Sequence, residues 1–277
     1  MTKIPKHKIS EQFDGKSFSL SLITEVDTKR VEGFDYVHRD DYYIFFLMEK
    51  GKAKLAIDFE EYEVTDNNLL CVLPGQVHHT IENDAYGWFL IVDNVLVKDH
   101  FKKDLKKYSN KKNKLELNDN EFDELKMLVS SIHKRAGKNR AEIAHDLISA
   151  YIGTIIEIYQ KEFPVYDNSR QATIASQFEL LLLEHYNILK RPADYAKRLN
   201  ISVPYLNECV KKNTGLPVSY HILNRIVLES KRMLYHSNKS VKEIAFELGY
   251  KDYAYFSRLF KKVTGVTASA FRNKNSD

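Results

Sequence analysis

The sequence predicts an α+β multidomain chain: a small antiparallel β-barrel, a helical region behind it, and an all-α domain at the C-terminal end. Three observations predict it. Residues 18 to about 95 alternate in the manner of strands, rich in Tyr, Phe, Ile, Val and Leu. After Lys98 the texture changes: a basic stretch, KKDLKKYSNKKNK, leads to a helical pattern opening at Asn118. One motif is then written twice, as KRPADYAKRLNISVPYLNECVKKNTG over 190–215 and KSVKEIAFELGYKDYAYFSRLFKKVTG over 239–265. Repetition on this scale marks architecture.

In the strand region, EKGK, TDNN, PGQ and ENDAYG break the apolar runs at intervals typical of antiparallel hairpins. The expected organisation is an N-terminal arm over 1–17, a barrel over 18–97, a helical region over 98–163, a linker over 164–170 and an all-α domain over 171–277. The helical region opens with Asn118, a capping residue three positions before Glu121. Its second helix carries two adjacent apolar stripes, Ile143, Leu147, Tyr151 and Ile155 beside Ile148, Ile152 and Ile156. So wide a face suits burial on the barrel and on a second subunit, which makes a homodimer the expected assembly; packing of both stripes inside the monomer is the alternative.

Charge and cysteine content narrow the class. The net charge is +4, yet residues 171–277 hold 17 Lys+Arg against 9 Asp+Glu while the rest of the chain is net acidic. A basic C-terminal part suits a polyanion. Cys71 and Cys209 sit far apart in unlike contexts and read as small apolar fillers. No window approaches the roughly 18 apolar residues of a membrane span, and the start MTKIPKHKIS lacks the apolar core of a secretion signal. The expected location is the cytoplasm.

Aligned, the two copies match Ala196 to Ala245, Leu199 to Leu248, Leu206 to Phe256, Val210 to Phe260, Lys211 and Lys212 to Lys261 and Lys262, and Gly215 to Gly265. The offset moves from 49 to 50, so the second copy has one more residue in its turn. Each reads as helix, tight turn, helix. The small Ala lets the second helix cross closely, and Asn200 or Gly249 accepts the left-handed backbone that ends the first. The face left free in the second helix carries Ser202, Pro204, Asn207, Glu208, Lys211 and Lys212 in one copy and Tyr253, Ala254, Ser257, Arg258, Lys261 and Lys262 in the other. Between the copies, residues 218–236 read as a single helix about 28 Å long at 1.5 Å per residue. Successive major-groove faces lie about 34 Å apart, so one chain can read two adjacent turns of double-stranded DNA.

Residues 171–273 resemble the DNA-binding domain of AraC/XylS transcription regulators, and the run SVKEIAFELGYKDYAYFSRLFKKVTGVTASAFR carries the resemblance. The front half, with LPGQVHHT over 73–80, is similar to that family's cupin-like effector-binding barrel followed by a dimerisation region. The resemblance implies a sequence-specific regulator of promoters, not an enzyme, with no cofactor, and RNA polymerase as a partner if it activates. It places Asn207, Glu208, Ser257 and Arg258 toward base edges, with Arg258 the strongest choice for a bidentate contact to guanine. Ser202, Pro204, Tyr253 and Ala254 share that face, and Lys211, Lys212, Lys261 and Lys262 meet phosphates. Two positions depart from the family pattern: Glu208 stands where many members are basic, and Ala268 replaces a common proline.

His38, His78 and His79 invite a metal reading. Adjacent His78 and His79 point to opposite sides of a strand and no suitable carboxylate follows closely, so no metal is expected. A small organic effector is the better expectation, lined by His38, Tyr43, Phe45, His79 and Trp88. A metal-dependent cupin enzyme with a DNA-binding tail, and a constitutive regulator whose barrel only dimerises, are the competing readings.

Overall fold

The computed structural model describes residues 6–7, 17–23, 37–109, 112–136, 141–163 and 169–274. The arm expected over 1–17 and the linker over 164–170 fall largely outside them. The chain divides into two compact units, with the boundary between Pro164 and Val165. Among the described residues no helix is long and apolar enough to cross a membrane.

The N-terminal unit is organised on two long strands, β4 (Tyr42–Ile57) and β7 (Val77–Asp93), paired antiparallel along their length. Around them pair β1 (Lys6–His7), β2 (Phe18–Ile23), β3 (His38–Asp40), β5 (Glu60–Val64), β6 (Asn68–Val72) and β8 (Lys114–Glu116) in a sheet whose spine runs β1-β3-β7-β4-β6-β8. TDNN and PGQ are turns, but EKGK and ENDAYG are not. They lie opposite each other inside β4 and β7, with Gly51 paired to Ala85, at a register shift between Met48 and Lys50. Gly51 has φ +102°, and a Cβ there would stand 2.1 Å from the Asp84 carbonyl oxygen. The segment is polar because its side chains reach solvent at a bulge, with Lys50, Lys52, Glu82 and Asp84 exposed. The hairpin that the sequence hid is Asp58-Phe59, both at positive φ, joining Ile57 to Glu60. This two-residue loop matches strand twist, and Asp58 fastens it by accepting from Val77 N and Gln76 Nε2.

Every residue from Tyr42 to Met48 is at most 4% exposed. Alternate residues serve different cores. Tyr42, Ile44, Phe46 and Met48 face Leu70, Val72 and Ile91 inside the barrel. Tyr43, Phe45 and Leu47 face outward against the helices α1 (Asp99–Ser109), α2 (Asp119–His133) and α3 (Ala141–Glu162). The capping box at Asn118 and Glu121 forms as expected. The first part of the basic stretch, as far as Ser109, is helical, since Leu105 and Tyr108 give it a buried side. On α3, Ile148, Tyr151, Ile152, Ile155 and Ile156 are all buried in the monomer's own core, and only Ile143 of the two stripes is exposed. The wide apolar face is thus used within the chain: the helix lies between α2 and the outer face of the sheet, and its width reflects two intramolecular contacts.

The C-terminal unit comprises α4 (Arg170–His185), α5 (Pro192–Arg198), α6 (Val203–Thr214), α7 (Val218–His236), α8 (Val241–Glu247), α9 (Tyr253–Thr264) and α10 (Ala268–Lys274). The connecting helix α7 has the bounds read from sequence. Leu206 and Val210 of α6, Ile222 and Ile226 of α7, and Phe256 and Phe260 of α9 belong to one continuous core. Each such side chain stabilises the unit by about 1.5–3 kcal/mol. Sharing that core ties both motifs to α7.

Candidate functional site

Both helix-turn-helix units are built by the same backbone device. In the first, Ile201 N donates to Ala196 O and Asn200 N to Lys197 O; in the second, Tyr250 N donates to Ala245 O and Gly249 N to Phe246 O. This double closure ends a helix on a left-handed residue, with Asn200 at φ 53° and Gly249 at φ 80°. Ala196 and Ala245 are buried. The N-caps are Ser202 for α6 and Asp252 for α9, so the extra residue of the second turn is Lys251. Both recognition helices run twelve residues and stop at a left-handed glycine, Gly215 or Gly265. Just before each glycine, a threonine hydroxyl, on Thr214 or Thr264, donates back one turn to Val210 O or Phe260 O.

The second turn is also held from outside its own motif. A Cβ on Gly249 would lie 2.1 Å from Asn187 O and 3.1 Å from Lys190 Cε. Lys190 Nζ donates to Tyr186 O and sits 5.0 Å over the Tyr250 ring. Burial lowers the Lys190 pKa to about 8. The loop following α4 therefore grips the second motif, and the two motifs are joined at this point as well as through α7.

The predicted reading residues divide unequally. On α9, Tyr253, Arg258, Lys261 and Lys262 are exposed, Ala254 and Ser257 half-buried. Arg258 makes no hydrogen bond or ion pair among the described residues, while Ser257 Oγ donates to Tyr253 O. Tyr255, which the sequence reading left out, is also exposed beside Tyr253. On α6, Pro204, Glu208, Lys211 and Lys212 are exposed, but several polar groups are already engaged. Ser202 Oγ caps the helix by accepting from Tyr205 N. Asn207 is half-buried and its Oδ1 accepts from Val218 N at 3.1 Å. Asn207 thereby caps the start of α7, whose first backbone N–H groups lack helical partners. Glu208 accepts from Gln171 Nε2, whose Oε1 accepts from Lys212 Nζ. Gln171 on α4 was not foreseen, since only tertiary structure brings it there.

In the N-terminal unit a cavity of ≈ 270 Å³ lies among inward side chains that include Ile44, Phe46, Val72 and Phe89, with His38, His78, Thr80 and Asn83 as polar groups. Of the five residues expected to line it, His38 alone does. Tyr43 and Phe45 leave the other face of β4, Phe45 edge-on to Tyr151 of α3. Trp88 Nε1 donates to Glu49 at 2.7 Å, and Lys126 of α2 pairs with the same carboxylate, so Trp88 ties sheet to helix. His79 points away from the cavity, opposite His78 and Thr80; burial, then His78, lowers its pKa. A single-residue shift of face separates the expected lining from the observed one. His78 and His79 do diverge, but His38 on β3 pairs opposite His78, and Asp40, two residues further on, brings a carboxylate within 4.8 Å of both, a group that could hold a metal ion. The spacing His38-x-Asp40 on a strand was the available signal.

These features define a class: a DNA-binding transcription regulator with a helix-turn-helix domain and a ligand-binding sheet domain. The comparisons agree. The helix-turn-helix domain profile matches residues 195–274, and the AraC-like ligand binding domain profile matches residues 24–92. The Msm operon regulatory protein of Streptococcus mutans is 25% identical over 281 residues, covering 96% of this chain and 97% of its own. The HTH-type transcriptional activator RhaR of Mannheimia succiniciproducens is 22% identical, covering 86% and 87% respectively. ToxT of Vibrio cholerae O395 aligns over 94% of this chain and 98% of its own at 16% identity, with a TM-score of 0.45. The chain belongs to the AraC family of transcription regulators.

Proposed function

We propose that the C-terminal unit reads two successive major grooves of a promoter, with α9 as the main base reader and α6 chiefly as a positioning helix. The observation that carries this reading is the matched construction of the motifs: identical turn closures on one shared core, each presenting a twelve-residue helix with an exposed face. Arg258 reads guanine, with Tyr253, Ala254 and Ser257 on the same face, while Lys211, Lys212, Lys261 and Lys262 meet phosphates. On α6, Pro204 is exposed toward the bases, and Glu208 reaches one only by giving up Gln171.

The barrel cavity takes a small organic effector with an apolar body and a polar end directed to His38, His78, Thr80 and Asn83. Its volume and apolar walls with few polar groups support this. The effector acts only by favouring one DNA-binding arrangement over another. The same reading includes a homodimer through the helical region, where Met127 and Ile143 are exposed, contact with RNA polymerase if the protein activates, a cytoplasmic location, and no catalytic step.

Selection of the full chain against random duplexes tests DNA reading: enrichment of a bipartite site is expected, and recovery of unenriched sequence contradicts it. For sensing, a compound that stabilises the protein must also change promoter affinity, and Ala53→Phe, which fills the cavity, must abolish that change. A stabilising compound that leaves promoter affinity and transcription untouched refutes the sensing role.

A further inference from the structure

We propose that His38, Asp40 and His78 bind a divalent transition-metal ion at the wall of the barrel cavity. His38 and Asp40 stand two residues apart on β3, so their side chains leave one face of the strand. The pairing of β3 with β7 sets His38 opposite His78. All three are buried, at 0%, 2% and 5% exposure. One donor atom from each lies within 4.8 Å of the others. Asp40 Oδ2 is 3.2 Å from His78 Nε2 and 3.7 Å from His38 Nε2, with the two rings 4.3 Å apart between centroids. Ligands about 2.1 Å from an ion stand about 3.0 Å apart at a right angle and about 3.4 Å apart at the tetrahedral angle. The two distances from Asp40 Oδ2 meet that to within a few tenths of an ångström.

The protons point the same way. His78 Nδ1 lies 3.2 Å from Gln76 O, a carbonyl that only accepts, so Nδ1 carries the proton. In the neutral ring Nε2 then directs its lone pair at Asp40, and no hydrogen bond reaches it. Metal-binding histidines are oriented in this way, by a carbonyl on the far nitrogen. A lone pair facing a carboxylate in a buried site is unfavourable unless a proton or a cation stands between them. Two imidazoles and one carboxylate suit zinc or iron(II). His38 and His78 also line the cavity, so a bound ion offers an oxygen-bearing effector an anchor; this last step alone rests on the effector reading.

The test uses the full chain stripped with a chelator, titrated with Zn²⁺ by calorimetry and with Co²⁺ by visible absorption. Saturable binding of one ion per chain is expected, with Co²⁺ bands of nitrogen and oxygen coordination. Asp40→Asn, nearly isosteric, should weaken Zn²⁺ binding by at least about 100-fold. His79→Ala, whose ring leaves the other side of the strand, should change it by less than about twofold. His78→Gln replaces Asp40→Asn if circular dichroism shows that variant unfolded. No saturable binding, or equal affinity in the parent and the ligand variant, overturns the proposal. DNA binding by the stripped protein is measured alongside, and its retention separates failure of the metal site from failure of the regulator reading.

Discussion

The two helix-turn-helix motifs share a backbone plan and differ in what they leave available. In the second, Arg258 is exposed and unengaged among the described residues, next to exposed aromatics. In the first, Asn207 caps the connecting helix and Glu208 is bridged through Gln171 to Lys212. The same backbone closures thus carry side chains with different engagements. Withdrawing the half-buried Asn207 amide from the Val218 N–H carries a cost, which supports the proposed division: placement mainly from the first motif, base discrimination mainly from the second.

The largest expected effect sharpens the contrast at the turns. Gly249→Val forces a branched side chain into φ 80° and against Asn187 O, costing more than about 3 kcal/mol and abolishing DNA binding. The equivalent Asn200→Ala should cost only about 1–2 kcal/mol, because Asn tolerates that backbone without requiring it. Urea denaturation of the two variants compares them directly, and equal losses would erase the difference claimed between the turns.

Next comes the reading face. Arg258→Ala should lose about 1–3 kcal/mol of discrimination at one base pair of the selected site while non-specific binding barely changes. Lys261→Ala should weaken every duplex and reduce the salt slope by about 0.9. Competition binding across salt concentrations distinguishes them; uniform scaling by both variants would dissolve the division into base and phosphate contacts.

Asn207→Ala is expected to cost about 1 kcal/mol of stability by uncapping α7, with sequence preference unchanged. A changed preference at one base pair, seen by repeating the duplex selection, would restore Asn207 as a reader and make the motifs more alike.

The smallest effect concerns the grip on the second turn. Burial depresses Lys190 from 10.5 to about 8. Between those values the unfolded chain holds the proton that the folded chain has released, so stability rises with pH across that window. Below about pH 8 the cost of the buried charge is fully present. Compared with Lys190→Met, the parent should gain stability as pH climbs from about 8 to about 10.5, measured by denaturation at each pH. A difference independent of pH would mean that the charge carries no such cost.

The C-terminal unit was legible because its signals are local. Asn200, Gly249, Gly215 and Gly265 announce left-handed positions, and Leu206, Val210, Phe256 and Phe260 repeat at helical spacing. The barrel was legible as strands but not in its facing. YYIFFLM is apolar throughout because helices cover the sheet's outer side, so the alternation that normally separates inside from outside is silent. Choosing Tyr43 and Phe45 over Ile44 and Phe46 followed from that silence. The bulge at Gly51 resembled a turn because both features use glycine among polar residues. The partners of Asn207 and Glu208 are Val218 N and Gln171, eleven and thirty-seven positions away, which no local pattern encodes.

The central claim is that both recognition helices enter consecutive grooves of a single duplex. Hydroxyl-radical footprinting of the full chain on its selected site measures this most directly. Two protected segments about one helical turn apart on the same face are predicted, with Arg258→Ala weakening the segment read by α9. A single protected segment, or two on opposite faces of the duplex, would contradict the account.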